Sequence, residues 1–176
     1  VSTRVYLACS FDGYIAGSDH DVDWLDVLEI PTESDAMGFE EFLGQVGCML
    51  MGRKTYDFVE KQGTWPYGDL PVLVATHRPL TPVVPTVRAV SGDIADLLGE
   101  AQRIAGDADV YLDGGATVQQ ALNQRLVDEL TLTVVPVLLG GGVRLFDDLI
   151  ERSWWEYVRY ERYGEMVQIT LRPRQG

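Results

Sequence analysis

Two strand-to-helix turns carry the residues best suited to chemistry. Cys48-Met49-Leu50-Met51 is a short apolar run that reads as a buried strand, and Gly52-Arg53-Lys54-Thr55-Tyr56 follows it at the start of a helix. The first N–H groups of a helix have no intrahelical partner and its dipole favours an anion, so strand, glycine turn and helix together form a phosphate site. Asp109 to Asp113, then Gly114-Gly115 and a helix with Val118, Ala121 and Leu122 facing inward, repeats the arrangement. Basic residues matter here because the chain is acidic, with 14 Lys+Arg against 27 Asp+Glu and a formal net charge of −13. Arg53-Lys54 and His77-Arg78 are the two small basic groups that stand out. A carboxyl whose pKa is raised by burial is the usual proton source in an apolar pocket, and Asp12 and Asp113, both beside glycines, compete for that role. The Asp-Gly turn at Asp12 would also select that residue on geometry alone. Trp24, Phe39 and Tyr56 can stack on a heterocycle, although such residues also build cores.

Charge and cysteine usage exclude other classes. Nucleic acid and anionic membrane surfaces both recruit clustered Lys and Arg, which a chain of charge −13 lacks. No stretch reaches the roughly 20 apolar residues that span a bilayer. Cys9 and Cys48 lie in apolar runs and read as structural thiols in a reducing, cytoplasmic setting. The histidines and cysteines show no ligand spacing, so no metal is expected.

The elements that must position these turns follow from periodicity. Arg4 to Ser10 reads as a buried strand, and Phe11 to Ser18, with its glycines, as a flexible loop. A helix is expected from about Asp35 to Gln45, with Phe39, Phe42, Leu43 and Val46 at helical spacing and Thr32-x-x-Asp35 shaped like a capping box. Pro71 to Thr76 and Val87 to Val90 are strands flanking a proline-rich loop, and Ile94 to Ile104 is a helix stopped at Gly106. Leu130 to Val137 is a long β-rich run. Trp154 to Tyr163 and Met166 to Arg172 form a hairpin around Gly164-Glu165. The expected fold is α/β, one domain over residues 1–176, with a mixed, mostly parallel sheet, antiparallel C-terminal strands and helices on both faces.

Four motifs in order, Ser10-Phe11-Asp12-Gly13-Tyr14-Ile15-Ala16, Met51-Gly52-Arg53-Lys54-Thr55-Tyr56, Thr76-His77-Arg78-Pro79 and Gly114-Gly115-Ala116-Thr117-Val118, resemble the dihydrofolate-reductase-like superfamily. Val127-Asp128-Glu129-Leu130 with Val135 to Gly142 is closer to the reductase domain of riboflavin biosynthesis and its stand-alone bacterial relatives. The resemblance implies a three-layer fold and an NADPH-dependent reductase acting on a small polar nitrogen heterocycle. In it Gly52, Arg53, Lys54 and Thr55 grip the dinucleotide phosphates, and Thr76, His77 and Arg78 take the adenosine 2′-phosphate. Gly114, Gly115, Ala116, Thr117 and Val118 pass the pyrophosphate, and Ala8 and Ile15 flank the nicotinamide. The folate enzymes' pocket carboxylate falls at or beside Asp35, or at Glu29 by a second count, and Thr133 is placed to support it. Asp113 replaces an apolar residue of those enzymes, which favours a more polar substrate. Arg88 is a weak option for an arginine binding a glutamate tail. The resemblance also implies a homodimer through the C-terminal strands, with Trp154 and Trp155 in the core or the interface.

Overall fold

The computed structural model describes residues 1–26 and 36–174. Its first half comprises β1 (Thr3–Ser10), β2 (Tyr14–Ala16), α1 (Phe39–Leu43), β3 (Val46–Gly52), α2 (Arg53–Lys61), β4 (Val72–Ala75) and β5 (Val87–Val90). The second half comprises α3 (Ile94–Ala105), β6 (Asp109–Asp113), α4 (Gly115–Asn123), β7 (Glu129–Val135), β8 (Val143–Arg144), β9 (Trp155–Tyr163) and β10 (Met166–Pro173).

Among the described residues the main sheet has 8 strands in the order β5-β4-β3-β6-β1-β7-β10-β9. The pairs from β5 to β7 are parallel, and β10 runs antiparallel to both β7 and β9. Central parallel strands must be apolar on both sides, and Cys48, Met49, Leu50 and Met51 of β3 are all at 0% exposure. One face packs Leu50, Leu112, Val5 and Leu130 against α3 and α4 through Leu97, Leu98, Val118 and Ala121. The other packs Met49, Met51, Val72 and Tyr111 against Phe42 of α1 and Tyr56 of α2. This is the expected mixed α/β architecture.

Three local expectations change. The helix expected from Asp35 to Gln45 reduces to α1, because Met37 and Gly38 lie at φ 60° and 80° and interrupt the helical path; Thr32 and Asp35 lie outside the described residues. Phe11 to Ser18 is not wholly loop, since Tyr14–Ala16 pairs antiparallel with Val143–Arg144. That pairing needs Gly142, at φ 131°, where an added Cβ would sit 2.2 Å from the Ala16 carbonyl oxygen. The run to Val137 stops as a strand at Val135, as Pro136 has no N–H to offer the ladder.

Asp12 ties these loops together. It accepts hydrogen bonds from the Ser10 hydroxyl at 2.6 Å and from the N–H groups of Leu139 and Gly140 at 3.1 and 2.8 Å. The Ser10 hydroxyl, followed by those two N–H groups, outweighs the effect of burial and holds its pKa down to about 2.

Two outcomes follow from this packing. Leu50→Ala, at a site with 0% exposure, should lose about 2–5 kcal/mol in urea unfolding, whereas Leu138→Ala, 71% exposed, should stay within about 0.5 kcal/mol. Because the Asp12 pKa is depressed in the fold, its contribution is present above the ordinary carboxylate range and disappears as pH falls toward about 2. Amide protection at Leu139 and Gly140, taken relative to the intrinsic exchange rate at each pH, should therefore fall in Asp12→Ala at neutral pH, and in the parent chain only on acidification toward about 2. Unchanged protection in the variant would mean that the carboxylate does not hold the loop.

Candidate active site

The parallel pairing sets the ends of β3 and β6 side by side, with Met51 opposite Asp113. Each strand runs straight into a helix: Gly52 into α2 and Gly114 into α4. Tyr56 of α2 packs on one face of the sheet, whereas Val118 and Ala121 of α4 pack on the other. Adjacent parallel strands whose following helices go to opposite faces open a crevice at their carboxyl ends, where such folds bind ligands. The two glycine turns touch there. A Cβ on Gly114, which has φ 99°, would stand 2.9 Å from Thr55 Oγ1 and 3.2 Å from the Gly52 nitrogen. A Cβ on Gly115 would stand 3.0 Å from Ile15 Cδ1, so β2 closes against the same point.

Beside the α2 N-terminus lies a cationic cluster. Arg53 Nη1 approaches the Pro79 carbonyl at 3.0 Å and Thr76 Oγ1 at 3.4 Å, and the Arg78 N–H donates to Thr76 Oγ1 at 3.1 Å. Asp57 meets both guanidiniums, at 2.6 Å for Arg53 and 3.1 Å for Arg78. Lys54 Nζ lies 3.4 Å from His20 Nε2, which brings the segment after β2 to the same helix end. His77 is exposed next to Arg78.

Asp113 is 9% exposed at the mouth of the crevice. Burial raises its pKa to about 6, against the opposing pull of hydrogen bonds from the Gly114 N–H at 2.7 Å and the Tyr111 hydroxyl at 3.4 Å. The same burial, with the Asp113 charge nearby, pushes the Tyr67 and Tyr111 hydroxyls upward. The Tyr111 hydroxyl also reaches the Tyr6 carbonyl at 3.0 Å. From the Tyr6 hydroxyl, Gln168 Nε2 stands at 2.8 Å, and it also contacts Thr133 Oγ1 at 3.2 Å. Ala8, opposite Thr133, is the small residue on β1 at this level. Asp12 spends both carboxylate oxygens on its loop, and Asp35 and Glu29 lie outside the described residues.

Several expected ligand contacts are core residues instead. Tyr56 is at 0% exposure, and its hydroxyl is tied to the Val83 N–H and the Thr81 carbonyl, so it cannot face a ligand. Val118 is also at 0% exposure, and its N–H is bonded to the Gly114 carbonyl. The Thr117 hydroxyl is likewise engaged, by the carbonyls of Asp113 and Gly114, while Ala116 is exposed in the first turn of α4. Phe39 joins the aromatic cluster of Tyr6, Phe42 and Tyr111. Trp24 packs on Val135 and Met166, with its Nε1 buried and unpartnered among the described residues. Arg88 pairs with Glu100, away from these turns. Trp155 packs against the core, and Trp154 is exposed. The sequence reading missed Asp57, although its spacing of four from Arg53 signals a helical ion pair. It also missed Tyr111, Tyr67 and Gln168, whose proximity depends on strand order.

A groove of about 500 Å³ lies elsewhere, lined by residues including Arg4, Gln45, Glu129 and Arg159. Arg4 is bound within it to Glu129 and Gln45, so its polar lining is largely self-satisfied. Among the described residues no group of His, Cys, Asp and Glu could hold a metal, and no helix is long and apolar enough to cross a membrane.

Comparison with known proteins agrees with this fold. The chain is 31% identical over 169 residues to the uncharacterized protein YwjB of Bacillus subtilis (strain 168), covering 95% of each. A solved structure of a protein named for riboflavin biosynthesis, from Shewanella sp. PV-4, superposes with a TM-score of 0.90 at 32% identity, covering 99% of this chain and 100% of that one. Dihydrofolate reductase from Enterococcus faecalis, solved with NADP(H), shares the fold at a TM-score of 0.70 and 17% identity, covering 99% and 97% of the two chains. The RibD C-terminal domain family matches residues 3–169. The chain therefore belongs to the RibD C-terminal domain family and has its reductase-type fold.

Proposed function

We propose that this chain is an NADPH-dependent reductase that delivers hydride to a C=N or C=O bond of a small polar nitrogen heterocycle, dihydropterin-like or a ribosylaminopyrimidine. The observation that carries the reading is the contact of the Gly52 and Gly114 turns in one crevice, with a basic cluster on one side and a buried carboxyl at its mouth. The residues present fit the dinucleotide: a Cβ at Gly114 would fill the approach between two helix N-termini. Arg53, Thr76 and Arg78 would hold the 2′-phosphate, and Lys54, Thr55 and the first N–H groups of α2 and α4 the diphosphate. Ala8 and Ile15, small and apolar, would flank the ring. Reduced nicotinamide, when bound, supplies the hydride.

The protein's own chemical task is the proton. Asp113, with its pKa at about 6, is partly protonated near neutrality and donates to the substrate heteroatom. Asp12, ionised and engaged with its loop, serves better as a clasp than as a donor.

A second copy of the chain would cover β9, one of the two edge strands of the sheet among the described residues, where Tyr157 and Tyr160 are 72% and 76% exposed. Antiparallel pairing centred on Arg159 would set Glu156 of one copy opposite Arg162 of the other. Sedimentation should give a dimer for the parent chain and a monomer for Tyr160→Glu; a monomeric parent would remove the dimer.

Calorimetry should show NADPH binding at tens of micromolar or tighter, and its absence would end the cofactor reading. Arg78→Ala should weaken NADPH by about 1.5 kcal/mol, with less effect on NADH, because one charge-assisted phosphate contact is lost. Asp113→Asn should lower turnover on a panel of dihydropterins and aminopyrimidines by ~10² or more while leaving NADPH affinity intact. In the parent chain turnover should fall as pH rises through about 6, and the variant should lack that limb. An unaltered pH profile in Asp113→Asn would remove Asp113 from the chemistry.

A further inference from the structure

A carboxylate already stands between the two guanidiniums that face the proposed 2′-phosphate position. Asp57 lies one helical turn after Arg53, and its Oδ1 is 2.6 Å from Arg53 Nε while its Oδ2 is 3.1 Å from Arg78 Nη2. Arg53 is anchored on its far side by the carbonyls of Pro79 at 3.0 Å and Arg78 at 3.4 Å, so its Nε edge is the one given to Asp57. Thr76 Oγ1 completes the group at 3.4 Å from Arg53 Nη1. The Asp57 side chain is 30% exposed and thus reachable from solvent. Burial would raise its pKa, but Arg53 and then Arg78 outweigh that and hold it low, so it is charged at neutral pH.

An arriving 2′-phosphate dianion must share both guanidiniums with this like charge, and like charges brought together inside a binding site oppose each other. A ribose with a free 2′-hydroxyl meets the opposite situation. It needs an acceptor, and a carboxylate in this role is the usual means by which a nucleotide site takes the unphosphorylated sugar.

On the reading of this cluster as the adenosine end of the cofactor site, we propose that Asp57 is a specificity-determining residue. Its carboxylate competes with the 2′-phosphate for Arg53 and Arg78 and accepts a hydrogen bond from a free 2′-hydroxyl, narrowing the chain's preference for NADPH over NADH.

The test is calorimetric titration of the parent chain and Asp57→Asn with NADPH, NADH, adenosine 2′,5′-bisphosphate and 5′-AMP. The variant should bind NADPH and the bisphosphate roughly 3- to 10-fold tighter and NADH and 5′-AMP a few-fold more weakly, with the gain shrinking as salt is raised. Asp57→Ser, also neutral but shorter, should move the preference the same way, which guards against a fault peculiar to the Asn side chain. Equal shifts for phosphorylated and unphosphorylated ligands, or weaker NADPH binding in both variants, would make Asp57 a mere strut for the arginines and overturn the proposal. If the parent chain binds none of the four ligands, the cofactor reading itself fails and this proposal with it; binding by the parent with no change of preference in the variants overturns this proposal alone.

Discussion

The site depends on one close approach: the backbone of Gly114 against Thr55 and Gly52 at the carboxyl ends of β6 and β3. Parallel pairing with Met51 opposite Asp113 brings the two turns level. Glycine at φ 99° allows them to touch, because a side chain there would collide with the neighbouring turn. From that point α2 and α4 leave toward opposite faces of the sheet. Both helix N-termini consequently open onto one crevice, and two positive helix ends side by side favour an anion between them. Every further feature of the site is arranged around this junction.

Charge is distributed to match. A chain of net charge −13 repels anions over most of its surface, yet Arg53, Lys54 and Arg78 gather within reach of one helix end. Their cation density is tempered by Asp57, which neutralises part of it and fixes the orientation of both guanidiniums. On the other side of the junction the balance is reversed. Asp113 has no cation among its named hydrogen-bond partners, and burial keeps its proton on to about pH 6. Two carboxyl groups thus meet opposite surroundings, Asp57 held low by two guanidiniums and Asp113 raised by burial.

The parts of this arrangement that rest on contiguous residues were legible in the sequence. Cys48 to Gly52 and Asp109 to Gly114 announce strand, turn and helix without reference to the rest of the chain, and the order of apolar runs fixes a mixed, mostly parallel sheet. Parts that rest on which strand neighbours which were not legible. Tyr14–Ala16 becomes a strand only because residues 143–144 arrive beside it, and Gln168 meets Tyr6 and Thr133 only because β10 lies next to β7. Tyr56 and Val118 illustrate a different failure. They sit inside motifs read from the sequence as ligand-binding, but helical periodicity turns every third or fourth side chain inward, so a motif read as a block of contacts overcounts them.

The polar path away from Asp113 bears on how that carboxyl is held. From Asp113 it runs to the Tyr111 hydroxyl and the Tyr6 backbone, and from the Tyr6 hydroxyl to Gln168 and Thr133, crossing β6, β1, β10 and β7 on one face of the sheet. Buried polar atoms are normally all paired. Here Gln168 Oε1 and, in the neighbouring cluster of Trp24, Val135, Met166 and Met37, Trp24 Nε1 have no partner among the described residues. The polar groups of this path hold one another in place across four strands, so Asp113 keeps its position at the end of β6 through residues contributed by β1, β7 and β10.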